Sequence, residues 1–118
     1  MQAVVETHMF RRSAADAGMT DDDVFRVIEF LAANPESGDE IKGTGGCRKV
    51  RFAGHGKGKS GGYRVITFFS GPAIPVFLFY AYAKGRKDDI DARQRNRLKA
   101  VTKEIVATYP RGSVRSVQ

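Results

Sequence analysis

The 118-residue chain is long enough for one domain with one hydrophobic core, and its hydrophobic content of 42% is that of a folded globular protein. One cysteine and two histidines exclude an intramolecular disulfide and a zinc site built from these residue types. The N-terminus lacks the apolar core of a signal peptide, and the longest apolar run, residues 74–83, is about half the length of a membrane-spanning helix. We therefore expect a cytoplasmic protein without membrane contact.

The net charge of +7 is distributed unevenly along the chain. Residues 1–40 hold three basic and nine acidic residues, a balance of −6, whereas residues 41–118 hold seventeen basic and four acidic ones, a balance of +13. This asymmetry predicts an acidic scaffold and a basic working surface. Basic surfaces favour nucleic acid or anionic membranes as partners.

The N-terminal third predicts a strand and two helices. Residues 2–7 are rich in β-branched side chains and predict a strand, and residues 8–17 predict a short helix. Residues 21–33 predict an amphipathic helix, because four apolar side chains recur at helical spacing: Val24, Val27, Ile28 and Leu31. Thr20 followed by Asp23 predicts a capping box at the start of this helix, and Pro35 predicts its end.

Three further strands are predicted in the middle of the chain. Residues 48–53 alternate between apolar and basic side chains, as in a strand with one buried face. Residues 63–69 and 74–82 predict a hairpin around a turn at residues 70–73. The second of these runs is apolar on both faces, which predicts a strand covered on two sides.

The last predicted element is a helix over residues 91–108, whose start is marked by the acidic run that ends at Asp91. The order β-α-α-β-β-β-α predicts a small α+β domain with a mostly antiparallel four-stranded sheet, two N-terminal helices and one C-terminal helix. We expect this single domain to span residues 1–110 and residues 111–118 to form a flexible tail.

Residues 43–64 form a glycine-rich segment with no acidic residue and six lysines or arginines, to which His55 adds a possible seventh base. Because side chains alternate along a strand, Lys49 and Arg51 share one face, and Arg64 joins them from the neighbouring antiparallel strand. Guanidinium groups suit the geometry of phosphate, and lysines add point charges. The alternative is a solubilising surface without a partner, but such a surface would mix the two signs of charge.

The run GHGKGKS inside this segment is close to a Walker A sequence. The Walker pattern requires a glycine where Ala53 stands, and Gly54 comes one residue too late. A phosphate-binding loop of that type also leads into a helix, whereas a predicted strand follows here. Spacing and context therefore both argue against nucleotide hydrolysis.

A second basic group follows the apolar strand and consists of Lys84, Arg86 and Lys87, with Tyr82 nearby. Basic and aromatic side chains in this arrangement can clamp a nucleic-acid backbone and stack on a base. The same residues also fit a turn followed by a helix cap, and the sequence leaves both interpretations open.

Other reactive residue types have simpler explanations. His55 has a pKa suited to a general base, but no carboxylate is evident to orient it, so a solvated loop histidine is the favoured interpretation. Cys47 has basic neighbours that would lower its pKa, but it lacks a recognisable catalytic partner and is expected to be a packed core residue. The acidic clusters at residues 21–23 and 88–91 both precede helices and are better explained as caps than as metal sites.

Taken together, these motifs resemble a known family. The run GTGGCRKVRFAGHGKGKSGGYRVITFF, followed by VFLFYAYAKGRKDDI, resembles HigB-type toxins of the RelE/ParE superfamily from bacterial toxin–antitoxin modules. The early VVET and FLAANPESGDEIKGTGG match the same pattern, so the resemblance covers residues 2–108. It implies a RelE-like fold and a ribosome-dependent endoribonuclease that cuts mRNA by attack of the RNA 2′-OH on the phosphate, without a metal or another cofactor.

The resemblance also assigns roles to individual residues. Arg64 matches the strand arginine that binds the scissile phosphate, and Lys49 and Arg51 match the basic strand before the loop. Lys84 matches the basic residue after the fourth strand, a role for which Arg86 is the alternative. The implied catalytic residues are thus Arg64, Lys84, Arg51 and Lys49, and those implied to bind RNA or the ribosome are Arg48, Lys57, Lys59, Arg86, Lys87 and Tyr82. Phe52 and Cys47 depart from the tryptophan and leucine more common in the family, which we interpret as packing changes.

The partners implied by the resemblance are the ribosome with its mRNA and a cognate antitoxin of the helix-turn-helix type. Operator DNA would be bound only through the toxin–antitoxin complex. ParE-like relatives share the fold but inhibit DNA gyrase without cutting nucleic acid, which is the main alternative function. A decayed or repurposed phage-borne module is a third possibility.

Overall fold

The computed structural model describes residues 1–54, 62–85 and 90–109. It is an α+β domain in which three helices flank one mixed sheet. None of the helices in these ranges is both long and apolar enough to cross a bilayer. The elements in chain order are β1 (Val4–Glu6), α1 (His8–Asp16), α2 (Asp21–Ala33), β2 (Asp39–Glu40), β3 (Cys47–Phe52), β4 (Tyr63–Phe68), β5 (Val76–Ala83) and α3 (Ala92–Thr108).

The sheet has the order β1-β5-β4-β3-β2, with β1 parallel to β5 and the other neighbours antiparallel. The prediction of a mostly antiparallel sheet is confirmed, but the predicted number of four strands is wrong. The additional strand, β2, has only two residues, too few for an alternating pattern to reveal it. It forms where Asp39 lies opposite Lys49 and Glu40 lies opposite Arg48, so that opposite charges face each other across the strands.

The two faces of the sheet pack against different helices. On one face, Val50, Val65 and Leu78 pack with Phe10 of α1 and with Val27 and Leu31 of α2 in one buried cluster. The other face contributes Cys47, Ile66 and Phe77 to a second cluster with Leu98 and Ile105 of α3. As predicted, β5 is covered on both sides: six of its eight residues are buried.

The C-terminal helix is tied to the sheet through the turn that precedes β3. The Thr44 side chain donates a hydrogen bond to the Ile41 carbonyl (2.6 Å) and accepts one from the Cys47 backbone N–H (3.0 Å). The Thr102 hydroxyl of α3 in turn donates to the Thr44 carbonyl (3.0 Å). Thr44 and Thr102 are both buried, so these bonds are shielded from water and fix the position of α3 against the start of β3.

The capping box predicted for α2 is confirmed. The Asp23 backbone N–H donates to Thr20 Oγ1 (3.1 Å), and the Thr20 N–H donates to Asp23 Oδ2 (2.9 Å). Burial by itself would raise the pKa of Asp23, but these bonds with Thr20, together with Arg26 at 3.5 Å, hold the pKa below its ordinary value of 3.8. A carboxylate with a lowered pKa stabilises the folded state when it is ionised.

We expect Asp23→Ala to lower the free energy of unfolding at pH 7 by about 1–2 kcal/mol, because it removes the capping box. Since the folded pKa lies below the unfolded one, this contribution is present above the unfolded pKa of about 3.8 and is lost as the pH falls through the folded pKa. Urea unfolding at pH 7 and at pH 3 measures the difference. Asp22→Ala, in the same helical turn but exposed, is the control; an equal loss in both variants would contradict the assignment.

Candidate nucleic-acid interface

A group of cationic side chains lies on the face of the sheet that α3 covers only in part. Side chains two residues apart on a strand lie on the same face of the sheet. Lys49 and Arg51 therefore lie on the face of Cys47, and Arg64 lies on the face of Ile66, which is the face that packs against α3. The C-terminal helix contacts the other end of this face, where Tyr109 packs on Phe77 (ring centroids 6.0 Å apart). We call Lys49, Arg51, Arg64 and Lys84 the basic face.

Arg51 and Arg64 lie directly opposite each other on neighbouring strands. The Ile41 N–H donates to the Cys47 carbonyl, so Cys47, and by alternation Lys49 and Arg51, direct their backbone groups towards β2 rather than β4. The Arg51–Arg64 pair is therefore of the non-hydrogen-bonded kind, in which the Cα atoms approach to about 4.5 Å and the side chains lie closest. Two arginine side chains placed this close on one face can donate hydrogen bonds to the same bound anion.

Lys49 and Lys84 flank the arginine pair. Lys49 lies two residues before Arg51 on β3 and pairs with Ile66. Lys84 follows the last residue of β5, and its backbone N–H donates to the Gly62 carbonyl (3.1 Å), which continues the pairing of β4 and β5 by one residue. The Lys84 side chain is exposed, as is that of Arg51, whereas Lys49 and Arg64 are half-buried. Three of the four predicted catalytic residues therefore lie on the adjacent strands β3 and β4, and the fourth, Lys84, directly follows β5.

Two other predicted contact residues lie in less suitable positions. Tyr82 is paired with Arg64 in the sheet, but only 9% of it is exposed and it belongs to the buried cluster under α3. Its ring therefore has little surface to offer a stacking base. Arg48 lies on the opposite face of β3 from Lys49, and its guanidinium donates to the Gly38 carbonyl (3.0 Å). Arg48 thus supports the turn before β2 and does not join the basic face.

The remaining predicted contact residues, Lys57, Lys59, Arg86 and Lys87, lie outside the described residues, as does His55. Their roles stay predictions.

Arg95 is a residue of this region that the sequence pattern did not single out. Its guanidinium Nη1 donates to the Ile90 carbonyl (2.8 Å), and a Cβ built on Gly43 would lie 3.8 Å from its Cδ. Arg95 therefore links the first turn of α3 both to the segment before the helix and to the turn before β3. The sequence could have indicated Arg95 by its position one helical turn before Leu98, on the buried face of α3.

Cys47 is fully buried, in agreement with its interpretation as a core residue. Burial raises the pKa of the thiol to about 12, and a contact with Thr44 lowers it only in part. The thiol is therefore protonated at neutral pH and is a poor nucleophile. Within the described ranges, no three His, Cys, Asp or Glu side chains are grouped so that they could hold a metal ion.

A small α+β domain whose sheet presents opposed arginines flanked by lysines belongs to the class of proteins suited to bind a polyanion. A comparison with protein-family models identifies the family: the model described as "RelE toxin of RelE / RelB toxin-antitoxin system" matches residues 2–112. The chain belongs to the RelE toxin family. It is accordingly a toxin of a toxin–antitoxin system, and a cognate antitoxin is its partner.

Proposed function

We propose that this toxin is a HigB-type, ribosome-dependent endoribonuclease that cuts translated mRNA and so inhibits translation in the cytoplasm. The observation that carries the proposal is the direct opposition of Arg51 and Arg64, with Lys49 and Lys84 beside them. Two arginines opposed across neighbouring strands present their guanidinium groups on one face of the sheet, where both can donate hydrogen bonds to a phosphate. The RelE family match supports a target in the host's own translation machinery.

In the proposed reaction, the 2′-hydroxyl of one nucleotide loses its proton and its oxygen attacks the adjacent phosphorus. The bond from phosphorus to the 5′-oxygen of the next nucleotide breaks, and that oxygen takes up a proton. The products are a 2′,3′-cyclic phosphate and a free 5′-hydroxyl. The negative charge on the two non-bridging oxygens increases in the transition state, where Arg51 and Arg64 are expected to donate hydrogen bonds to it. Lys49 and Lys84 add positive charge on either side, and the need for a 2′-hydroxyl restricts cleavage to RNA.

The antitoxin that neutralises this activity is proposed to be a helix-turn-helix protein. Through it, the toxin–antitoxin complex would bind its own operator DNA. The toxin by itself would contact the ribosome and mRNA with its basic residues, for which the excess charge of +13 over residues 41–118 is the support.

The proposal is tested by inducing the toxin in cells and mapping mRNA 5′ ends by primer extension. We expect new ends within translated codons soon after induction, and their loss when the same transcript carries no ribosome-binding site. DNA damage without new mRNA ends would instead indicate gyrase inhibition and refute the proposal. In a reconstituted translation complex, a single 2′-deoxy nucleotide at the cleavage position should prevent cutting, because the attacking oxygen is missing.

A further inference from the structure

A second group of cationic side chains lies between α1 and α3, beside the outer edge of β5. The strand β1 pairs with β5 only as far as Leu78, and beyond this point α1 covers the edge, where the Ala81 N–H donates to the Ser13 hydroxyl (2.9 Å). An open cleft of about 300 Å³ remains between α1, α3 and this part of β5. Its volume is at the lower end of the range found for small-ligand sites.

Three exposed arginines line this cleft from two helices. Arg12 belongs to α1, and Arg93 and Arg97 lie one turn apart on α3. The Arg97 guanidinium extends to α1, where its Nη1 lies 3.9 Å from Met9 Sδ. A thioether is a weak acceptor, so this contact positions the guanidinium and leaves it able to bind an anion. Residues 1–40 hold only three basic residues against nine acidic ones, and one of the three lines the cleft.

Two carboxylates, those of Asp16 and Asp91, lie in the same cleft. Asp91 caps α3, because its Oδ1 accepts the Gln94 backbone N–H (2.8 Å). Among the residues that the structure describes, neither carboxylate forms an ion pair with the three arginines. Asp16 therefore presents an acceptor beside the cations. It repels a bare anion but can bind a hydroxyl or amino group of the same ligand.

A ribonucleotide carries both of the groups that this cleft is suited to bind. Its phosphate matches the guanidinium groups, and its ribose hydroxyls and base amino groups can donate hydrogen bonds to a carboxylate. The half-buried side chains of Met9 and Tyr80 add apolar and aromatic surface on which a base can lie. An inorganic anion, by contrast, has no donor for Asp16.

We propose that the cleft between α1 and α3 binds a ribonucleotide, with its phosphate on Arg12, Arg93 and Arg97 and a hydroxyl or amino group on Asp16. A free nucleotide and a nucleotide within an RNA strand present this same chemistry, and the experiment below separates the two sources. None of the four residues of the basic face lines the cleft. The site is therefore distinct from the one proposed for cleavage, and its existence does not depend on that reaction.

The test is titration calorimetry of the full-length toxin, without ribosomes, with each ribonucleoside 5′-monophosphate, with oligoadenylate and with inorganic pyrophosphate. Arg12→Ala and Arg97→Ala should each weaken nucleotide binding by at least about tenfold, the effect of losing a hydrogen bond to a charged group. Arg11→Ala is the matched control and should stay within about twofold of wild type. Arg11 is the neighbour of Arg12 on α1, but it lies 3.9 Å from Glu6 and does not line the cleft.

Asp16→Ala distinguishes a nucleotide site from a general anion site. It should weaken nucleotide binding by at least about threefold, because a hydrogen-bond acceptor is lost. The same variant should bind pyrophosphate more tightly than the wild type does, because a repelling charge is lost. Asp16 is exposed, as are the three arginines, so all these variants are expected to fold.

The source of the nucleotide follows from which ligand responds. Weaker mononucleotide binding in the arginine variants would assign the cleft to a free nucleotide, and an effect on oligoadenylate alone would assign it to a nucleotide within RNA. The proposal would be overturned by the absence of any nucleotide binding, by wild-type affinity in Arg12→Ala and Arg97→Ala, or by an equal loss in Arg11→Ala. Nucleotide binding that only Arg64→Ala abolishes would place the ligand on the basic face and would overturn the proposal too. Because no ribosome is present, these outcomes are independent of whether the toxin cleaves mRNA.

Discussion

Arg64→Ala is expected to lower ribosome-dependent mRNA cleavage by about 10²- to 10³-fold, the usual effect of removing one donor that stabilises charge in a transition state. The fold should survive, because Arg64 is only half-buried and lies opposite Arg51 near one end of the sheet. The free energy of unfolding should stay within about 1 kcal/mol of the wild-type value.

The measurement combines cleavage rates in a reconstituted translation complex with urea unfolding of the same variant. Lys103→Ala is the matched control, because it removes one exposed cation from α3 and leaves the basic face unchanged. Cleavage by Arg64→Ala at the wild-type rate would remove Arg64 from the mechanism. A parallel loss of activity and stability would mean that Arg64 has a structural role only.

Gly45→Ala is expected to destabilise the toxin by about 3–5 kcal/mol, the largest effect on stability that we predict for a single methyl group. Gly45 has a φ of +80°, which disfavours any residue with a Cβ, and a Cβ at this position would overlap the Thr102 hydroxyl. The backbone conformation accounts for about 1–2 kcal/mol and the overlap for the rest. The added methyl group would push α3 away from the turn before β3.

Gly71→Ala separates the two contributions. Gly71 has a φ of +97°, but no atom lies within 4 Å of the position that its Cβ would take, so this variant should lose only the conformational part, about 1–2 kcal/mol. The double variant Gly45→Ala, Thr102→Ala should be less destabilised than the sum of the two single variants, because the overlapping hydroxyl is gone. Equal losses in Gly45→Ala and Gly71→Ala, measured by chemical denaturation, would show that contact with Thr102 is unimportant.

The helices were the part of the fold most accessible from the sequence. The bounds predicted for α2, residues 21–33, agree with the structure, because a capping box and a proline mark its two ends locally. The predicted bounds of α1 and α3 differ from those observed by one residue. The strands were predicted to within two residues at each end, except β2, which has too few residues for a periodic pattern.

The candidate site was predicted in part. Alternation along β3 and β4 was enough to predict that Lys49, Arg51 and Arg64 share one face of the sheet. Alternation could not establish which residue of β3 faces which residue of β4, because the same pattern is compatible with several registers of the two strands. The sequence pattern also could not predict that Tyr82 is buried, because the residues of α3 in its cluster lie farther along the chain. Nor could it predict the hydrogen bond from Arg48 to the Gly38 carbonyl, which joins residues ten positions apart.

By itself, the sequence determined the class of fold, the ends of the helices and the concentration of positive charge in the second half of the chain, because caps, periodicity and composition are local properties. Only the tertiary structure decided that Arg51 opposes Arg64, that Arg51 is exposed whereas Arg64 is half-buried, and that β2 ends before Arg51 and leaves a groove beside Phe30. These features depend on strand register and on which element covers which face. Both are set by contacts between residues far apart in the chain, which local patterns do not encode.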